Sequence, residues 1–264
     1  MKESDELKIS LIQSDIVWEN KTANLEKYEK LLRPLSGKTD LVIFPETFTT
    51  GFSMQPADLA ENNDGLTMQT VRLWSKKFDF AISGSFIAEE NKNFFNRGFF
   101  ITPAGDSYFY DKRHLFRMSE ENEQFSRGNG LEVFSYKGWN LRMSICYDLR
   151  FPVWLRNQNL EYDLLICPAN WPASRAFVWQ TLLKGRAIEN QCYMVGVNRI
   201  GVDNQGHKHQ GDSCVIDYKG QILSEAKPDE ESIVTAVISK KMLTDFRAKF
   251  PVWMDFDHFI LEKE

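Results

Sequence analysis

The chain has 264 residues, of which 42% are hydrophobic and 26% are charged, and its formal net charge at pH 7 is −5. This composition is ordinary for a globular protein, and the length suits one large α/β domain or two small ones. The acidic balance and the lack of polybasic runs exclude a general attraction to nucleic acid or to an anionic membrane.

The N-terminus and the cysteines indicate the cellular compartment. The stretch MKESDELKISLIQSD is charged and then strand-like, so no secretory signal is predicted, and no apolar run has the length that crosses a bilayer. The four cysteines, at positions 146, 167, 192 and 214, form no CxxC pair and are too sparse for a disulfide framework. We therefore expect reduced thiols and a cytoplasmic protein.

Predicted strands and helices alternate through the first half of the chain. The pattern predicts a strand over 7–15, a helix over 20–35, a short buried strand over 40–46, a helix over 66–78, a strand over 80–90 and a hairpin over 94–112. The turn of that hairpin falls at Pro103-Ala104-Gly105-Asp106.

The second half repeats this design. LEVFSYKGWNLRMSIC predicts two strands joined at Lys137-Gly138, Pro152 begins a helix, YDLLICPAN is a buried strand and 175–191 is a helix. YMVGVNRIG, DSCVIDYKGQILSEA and SIVTAVIS supply further strands before a terminal helix and an aromatic tail over 240–259. Several strand pairs are hairpins rather than crossovers, and no linker divides the chain. We expect one domain over residues 1–264 with the α/β architecture of a four-layer α-β-β-α sandwich of two mixed sheets.

Three reactive residues follow predicted strands. Glu46 ends LVIFPE, Lys112 ends YFYDK and Cys146 ends LRMSIC. Catalytic groups of α/β folds gather at the carboxyl ends of strands. Taken singly, each residue has a plainer interpretation, as a solvated carboxylate, an exposed cation or a packed core thiol, and we assign the other three cysteines to the core.

Together, the three residues have the chemistry of an activated nucleophile. A thiol with a pKa of about 8.5 is mostly protonated at neutral pH and needs a base. Glu46 can accept its proton, and the Lys112 ammonium can stabilise the thiolate and the oxyanion that forms on attack. The backbone N–H of Tyr147, at the turn into the Pro152 helix, can donate to the same oxyanion.

The segments LVIFPETFTTGF, YDKRHLF and CYDLRFP resemble those that carry the catalytic Glu, Lys and Cys of the nitrilase, or carbon–nitrogen hydrolase, superfamily. The resemblance covers nearly the whole chain and implies a nitrilase-like fold with Glu46 as general base, Lys112 as cation and Cys146 as nucleophile. It implies a thioester intermediate and no metal or organic cofactor.

A second, structural glutamate of that superfamily lies shortly after the lysine. In this chain SEENEQFSRG offers Glu120, Glu121 and Glu123. Counting back from Gly128 favours Glu121, whose implied role is to position Lys112 and balance its charge.

The segments CPANWPASRAFVWQTLLKGRAIENQCYMVGVNRIG and FRAKFPVWMDFD resemble the omega-amidase branch, whose members hydrolyse the terminal amide of 2-oxoglutaramate and 2-oxosuccinamate and release ammonia. Such a substrate carries a distal carboxylate, so we expect a cation in the pocket. Arg150 is the first candidate and Arg175 the second, although Arg150 is also placed to form an internal ion pair with Asp148. Three aromatic residues are candidates for the pocket lining: Phe116, Trp171 and Phe177.

Other functions remain open from the sequence. Within the superfamily these are N-carbamoyl amine hydrolysis, aliphatic amidase activity and nitrile hydrolysis. Outside it they are a Cys–His hydrolase that uses His114, His207 or His209, and a catalytically silent binding or scaffold protein. His207 and His209 are two positions apart with no third ligand in view, so no metal site is predicted.

The resemblance also implies a homodimer, with the helix at 175–190 and the C-terminal segment near the interface. The tail FPVWMDFDHF, within about 250–264, supports this because a monomer has difficulty covering so many aromatic side chains. The alternative is that the tail folds back on its own chain.

Overall fold

A computed structural model gives the structure of residues 4–262. The first three residues of the predicted N-terminal segment and the last two of the predicted tail lie outside the described residues. The strands are β1 (Glu6–Gln13), β2 (Leu41–Ile43), β3 (Ala81–Glu90), β4 (Asn93–Ile101), β5 (Ser107–Asp111), β6 (Val133–Tyr136), β7 (Trp139–Met143), β8 (Leu164–Ala169), β9 (Tyr193–Asn198), β10 (Ile200–Val202), β11 (Lys208–Gln210), β12 (Cys214–Ile216), β13 (Ile222–Glu225) and β14 (Ser232–Ser239).

The α-helices are α1 (Lys21–Leu32), α2 (Pro56–Leu59), α3 (Leu66–Phe78), α4 (Glu121–Gln124), α5 (Pro152–Leu155), α6 (Ala176–Asn190) and α7 (Lys240–Lys249). The N-cap of α1 is Asn20, whose side chain accepts a hydrogen bond from the backbone N–H of Ala23 at 3.0 Å. Ser239 caps α7 in the same way, through the N–H of Met242. Both caps satisfy N–H groups that lack a partner within the helix.

Two six-stranded mixed sheets form the centre of the protein, in the strand orders β14-β1-β2-β3-β4-β5 and β13-β12-β9-β8-β7-β6. The parallel strands β1, β2 and β3 lie inside the first sheet, and β7, β8 and β9 lie inside the second. Antiparallel hairpins extend each sheet outward. With helices flanking these sheets, the predicted α-β-β-α sandwich is confirmed.

The apolar residues of β2 show how the layers pack. Leu41 and Ile43 join the core cluster between the two sheets, whereas Val42 joins the cluster that holds the buried faces of α1 and α3. Because alternate side chains of a strand point to opposite faces, a strand buried on both sides must be apolar throughout. On the second sheet, Gly196 of β9 allows α6 to approach closely, since a Cβ there would lie 2.6 Å from Leu183 Cδ1.

Several predicted boundaries differ from the structure. β2 ends at Ile43 and β7 at Met143, so the reactive residues that follow them stand three positions past the strands rather than at their ends. The helix predicted from Pro152 stops at Leu155, because Arg156 has an extended conformation. The hairpin of β10 and β11 was not predicted, because each strand has three residues, too few for an alternating apolar pattern.

The C-terminal tail lies against its own chain. Gln191 Nε2 donates to the Phe250 carbonyl at 2.8 Å, and Leu261 packs against the large core cluster that also includes residues of α5 and α6. Met254 and Ile260 nevertheless keep 66% and 94% of their surface exposed. Across residues 4–262, none of the helices combines the length and the apolar character needed to cross a membrane.

Candidate active site

Strand ends of both sheets meet at one edge of the sandwich. β2 and β5 run in the same direction in the first sheet, and β7 and β8 are parallel in the second. The segments after these four strands carry Glu46, Lys112, Cys146 and Asn170 respectively. Lys112, Cys146 and Asn170 line a cavity of about 250 Å³, and Glu46 is fully buried behind its wall.

Glu46 is held by hydrogen bonds to both of its carboxylate oxygens. Oε1 accepts from Asn96 Nδ2 at 2.7 Å and from Lys112 Nζ at 2.8 Å, and Oε2 accepts from the backbone N–H of Asn170 at 2.7 Å. The next residue, Thr47, has a φ of 45°, in the left-handed region that costs a residue with a Cβ atom. These contacts fix a carboxylate that has no exposure to solvent.

The ammonium of Lys112 lies between two buried carboxylates. Besides Glu46, it contacts both oxygens of Glu121 at 3.0 Å. Glu121 Oε2 also accepts from the backbone N–H of Phe116 at 2.6 Å. Of the three glutamates offered by the sequence, Glu121 is the one that is buried and bonded to Lys112, whereas Glu120 and Glu123 are exposed.

Charge and burial set the protonation of this cluster. Burial favours the neutral form of the amine, but the carboxylates of Glu121 and Glu46 outweigh it and raise the pKa of Lys112 above its ordinary value. Burial, assisted by the charge of Glu46, raises the pKa of Glu121 against the opposing attraction of Lys112. One ammonium between two carboxylates leaves a surplus of negative charge close to the Cys146 thiol.

That surplus acts on the Cys146 thiol. Burial raises the pKa of Cys146 well above its ordinary value, the charge of Glu46 adds to the increase, and Lys112 offsets only part of it. The resting group is therefore a neutral thiol, not the standing thiolate that an adjacent ammonium alone would favour. A neutral thiol needs a base at the moment of attack.

A strained turn presents the thiol. Cys146 has a φ of 44°, which is unusual for any residue except glycine, and it begins a 3-10 turn that ends at Arg150. Tyr147 is the second residue of that turn and lines the cavity. Backbone N–H groups in a first turn lack partners within the helix, so the role of the Tyr147 N–H as an oxyanion donor stays a prediction that this position allows.

Asp148 anchors the turn. Its fully buried carboxylate accepts from the backbone N–H of Ile145 at 3.0 Å, from the Tyr110 hydroxyl at 2.8 Å and from the backbone N–H of His114 at 2.9 Å. The His114 ring also binds Asp148, through Nδ1 at 2.8 Å. The carboxylate that the sequence offered to Arg150 is therefore used by other partners.

Arginines and aromatic rings form one part of the cavity wall. The guanidinium carbon of Arg150 lies 5.0 Å from the centre of a Trp171 ring, and that of Arg175 lies 5.4 Å from the Phe116 ring. These four predicted residues all line the cavity. The prediction for Phe177 is wrong, because its side chain lies outside the cavity wall and is 80% exposed on the first turn of α6.

The histidines take other positions. His114 stacks on Phe151 with ring centres 3.7 Å apart and is not part of the cavity wall. His207 and His209 do line the cavity, and both bind Asp203 Oδ2 at 3.2 Å. Within residues 4–262, no imidazole hydrogen-bonds the Cys146 thiol, and no group of three or more His, Cys, Asp or Glu side chains forms a metal-binding arrangement.

Two asparagines in contact with Glu46 were missed by the sequence analysis. Asn170 directly follows β8, so the rule that selected the other strand-end residues also points to it. Asn96 lies inside β4, where its side chain donates to both Glu46 and Glu121, the latter at 3.2 Å. The sequence signal for Asn96 was the presence of a polar residue within the aromatic segment FFNRGFF.

Comparison with known proteins identifies relatives of nearly equal length. The sequence model of the carbon-nitrogen hydrolase family matches residues 8–248. An omega-amidase of Yersinia enterocolitica is 42% identical over 97% of this chain and 98% of its own length. A 2-oxoglutaramate amidase of Bacillus subtilis is 32% identical over 94% and 96%, respectively. A solved CN-hydrolase superfamily protein from Xanthomonas campestris, with an arsenic adduct in its active site, matches with a TM-score of 0.95 at 42% identity, covering 98% of this chain and all of that one.

The Glu46→Gln substitution tests two effects of the Glu46 carboxylate: its action as a base and its influence on the pKa of the Cys146 thiol. If Glu46 acts as the general base, as the sequence predicts, turnover is expected to fall by about 10²- to 10⁴-fold. The pKa of Cys146 is expected to fall at the same time, because the substitution removes a negative charge that disfavours the thiolate. Labelling of Cys146 by iodoacetamide is followed by mass spectrometry as a function of pH. The labelling rate should begin to increase at a lower pH in the variant than in the unsubstituted protein.

The other cysteines supply the internal control for that measurement. Burial raises the pKa values of Cys167, Cys192 and Cys214 to about 12, so all three should label slowly in both proteins. An unchanged or higher labelling pH for Cys146 in the variant would contradict the electrostatic account. Full turnover by the variant would contradict the role of Glu46.

Proposed function

The chain belongs to the carbon–nitrogen hydrolase family and is an enzyme that cleaves amides, and we propose that it hydrolyses the terminal amide of a small 2-oxo dicarboxylic acid monoamide. The omega-amidase and 2-oxoglutaramate amidase relatives support a substrate of the 2-oxoglutaramate or 2-oxosuccinamate type. The observation that carries the proposed chemistry is the buried Glu46–Lys112–Glu121 cluster beside the thiol of Cys146.

The first half of the reaction makes an acyl-enzyme. Glu46 takes the thiol proton as the sulfur of Cys146 attacks the amide carbon. The developing oxyanion accepts hydrogen bonds from Lys112 Nζ and from the Tyr147 N–H. Glu46 then passes the proton to the amide nitrogen, the carbon–nitrogen bond breaks, and ammonia leaves a thioester on the enzyme.

The second half restores the thiol. Water loses a proton to Glu46 and attacks the thioester, and the second tetrahedral intermediate is stabilised by the same donors. The carbon–sulfur bond breaks, Glu46 returns the proton to Cys146, and the acid is released. Glu121 positions Lys112 and balances its charge throughout, as the contacts at 3.0 Å allow. Each step uses side chains of this chain and water.

The cavity suits a short anionic substrate. Its volume of about 250 Å³ accommodates a small acid, and two guanidinium groups lie in its wall. Neither Arg150 nor Arg175 forms an ion pair with another residue of the described part of the chain, so each remains able to bind a carboxylate. We assign the distal carboxylate to Arg150, which stands on the same turn as the nucleophile.

We also propose that the chain is one domain that works as a cytoplasmic homodimer. Apolar side chains remain exposed on α5 and α6: Val153 at 53%, Phe177 at 80% and Ile188 at 52%. Exposed apolar groups on neighbouring helices are typical of a protein interface. The half-exposed tail after Phe250 adds further apolar surface to be covered.

A substrate panel tests the proposed reaction. Ammonia release should be fastest with 2-oxoglutaramate or 2-oxosuccinamate, slower with glutamine, and slowest with N-carbamoyl amines and simple nitriles. Cys146→Ala should release no ammonia above background, because it removes the nucleophile. Preference for a nitrile or an N-carbamoyl amine would contradict the substrate assignment, and undiminished activity of the Cys146→Ala variant would contradict the mechanism.

Substitution of Arg150 tests the carboxylate site. Arg150→Ala should raise the KM for 2-oxoglutaramate by about 10- to 100-fold, since a charge-assisted hydrogen bond contributes about 1.5–3 kcal/mol. The KM for butanamide, which has no carboxylate, should change little. The control is Arg72→Ala on α3, which removes a guanidinium that pairs with Asp64. It should alter neither KM value. An increase with Arg175→Ala alone would move the assignment to Arg175.

Substitution of Phe177 tests the proposed dimer. Phe177→Ser should shift the protein toward a monomer in sedimentation velocity at micromolar concentration, because it places a polar group in the apolar contact surface. The control is Leu73→Ser on α3, which is 63% exposed but belongs to the helix layer of the other sheet. A monomeric unsubstituted protein, or an equal effect of both substitutions, would contradict this interface.

A further inference from the structure

The side chain of Asn170 has one end occupied and one end free. Its Nδ2 donates to the carbonyl oxygen of Glu46 at 2.6 Å and to Thr47 Oγ1 at 3.3 Å. Because the Glu46 carbonyl can only accept, the amide orientation is fixed with Oδ1 at the opposite end. That oxygen is buried and has no hydrogen-bond partner within residues 4–262. A buried acceptor without a donor is costly, and at a reaction centre it points to a ligand.

Two separate observations place Asn170 beside Cys146, Lys112 and Glu46. Its side chain, 93% buried, lines the cavity together with Cys146 and Lys112. Its backbone N–H donates to Glu46 Oε2 at 2.7 Å, and the same N–H acts on the thiol of Cys146. The main chain therefore holds the proposed base, and the Oδ1 end of the side chain is the part of Asn170 that has no partner among the described residues.

None of the donors in the described part of the site binds Asn170 Oδ1. Lys112 Nζ is used by Glu46 and Glu121, and the single thiol hydrogen of Cys146 is the proton that Glu46 must take. The scissile carboxamide of the substrate brings two N–H donors of its own. Its carbonyl oxygen faces Lys112 and the Tyr147 N–H during attack, so its nitrogen lies on the other side of the reacting carbon.

We propose that Asn170 Oδ1 accepts a hydrogen bond from the nitrogen of the scissile amide and makes the site selective for amides over esters. This inference rests on the proposed amidase function and names the group that recognises the leaving nitrogen. The bond strengthens along the reaction, because the nitrogen gains a proton from Glu46 before it departs. An ester oxygen has no hydrogen to donate and leaves Oδ1 unpaired.

The test compares two substrates that differ only in the leaving group. The enzyme and its Asn170→Ala variant are assayed on 2-oxoglutaramate and on the corresponding methyl ester at the distal carbonyl. The variant should lose about 10- to 100-fold in kcat/KM for the amide and far less for the ester, so the amide-to-ester ratio falls by about tenfold or more. Ester turnover persists because the backbone N–H that holds Glu46 remains in the variant.

Asn96 provides the matched control. Its Oδ1 is also buried without a partner among the described residues, and its Nδ2 also binds Glu46, but Asn96 does not line the cavity. Asn96→Ala should therefore lower amide and ester turnover in parallel, with the ratio unchanged. A structural role of Asn170 alone would give the same parallel loss in Asn170→Ala, and that result overturns the inference.

Two further measurements keep the outcome clear. Thermal unfolding of each variant establishes that it is folded, and Asn170→Ser replaces the alanine variant if that protein is unstable, since a serine hydroxyl can still donate to the Glu46 carbonyl. An amide-to-ester ratio unchanged in a folded variant overturns the inference and leaves the amidase function intact. Failure of the unsubstituted enzyme on every amide overturns the proposed function and this inference together.

Discussion

The arrangement of the site depends on one buried ammonium between two buried carboxylates. Lys112, Glu46 and Glu121 are each at most 1% exposed, so none of them can rely on water for stabilisation of its charge. Burial of an unpaired charge costs several kcal/mol, and removing one member of such a cluster exposes the others to that cost. The cluster also joins three segments that are distant in sequence, so it fixes how the ends of β2 and β5 meet.

Burial and the charge of this cluster together set the state of the Cys146 thiol. Burial raises the pKa of the thiol and the charge of Glu46 adds to the increase, so in the proposed mechanism the proton is lost only when the sulfur bonds to carbon. A neutral thiol reacts more slowly than a thiolate in alkylation and oxidation, even where it lines an open cavity as Cys146 does. In the proposed mechanism the same carboxylate protonates the leaving group and deprotonates water, so one base serves both halves of the reaction.

The sequence alone predicted the fold and the three strand-end residues, but it did not predict several contacts around them. Alternation of short apolar strands with hairpins predicted the sandwich, and the strand-end rule selected Glu46, Lys112 and Cys146, which the structure brings to one site. The partner of Asp148 could not be predicted, because the competition between Arg150 and His114 is decided by the path of the chain after β5. Likewise, Phe177 lies shortly after NWPAS in sequence, but its side chain is on the exposed face of the first turn of α6, which spacing alone does not reveal.

The left-handed backbone of Cys146 has a consequence for the evolution of this fold. A Cβ atom at a φ of 44° costs conformational energy that glycine would avoid, and Thr47, the neighbour of Glu46, has the same feature. Each side chain nevertheless has a use that glycine lacks, since Cys146 carries the thiol and Thr47 Oγ1 accepts from Asn170 Nδ2. The packing of the rest of the core must therefore offset the backbone strain stored at the site.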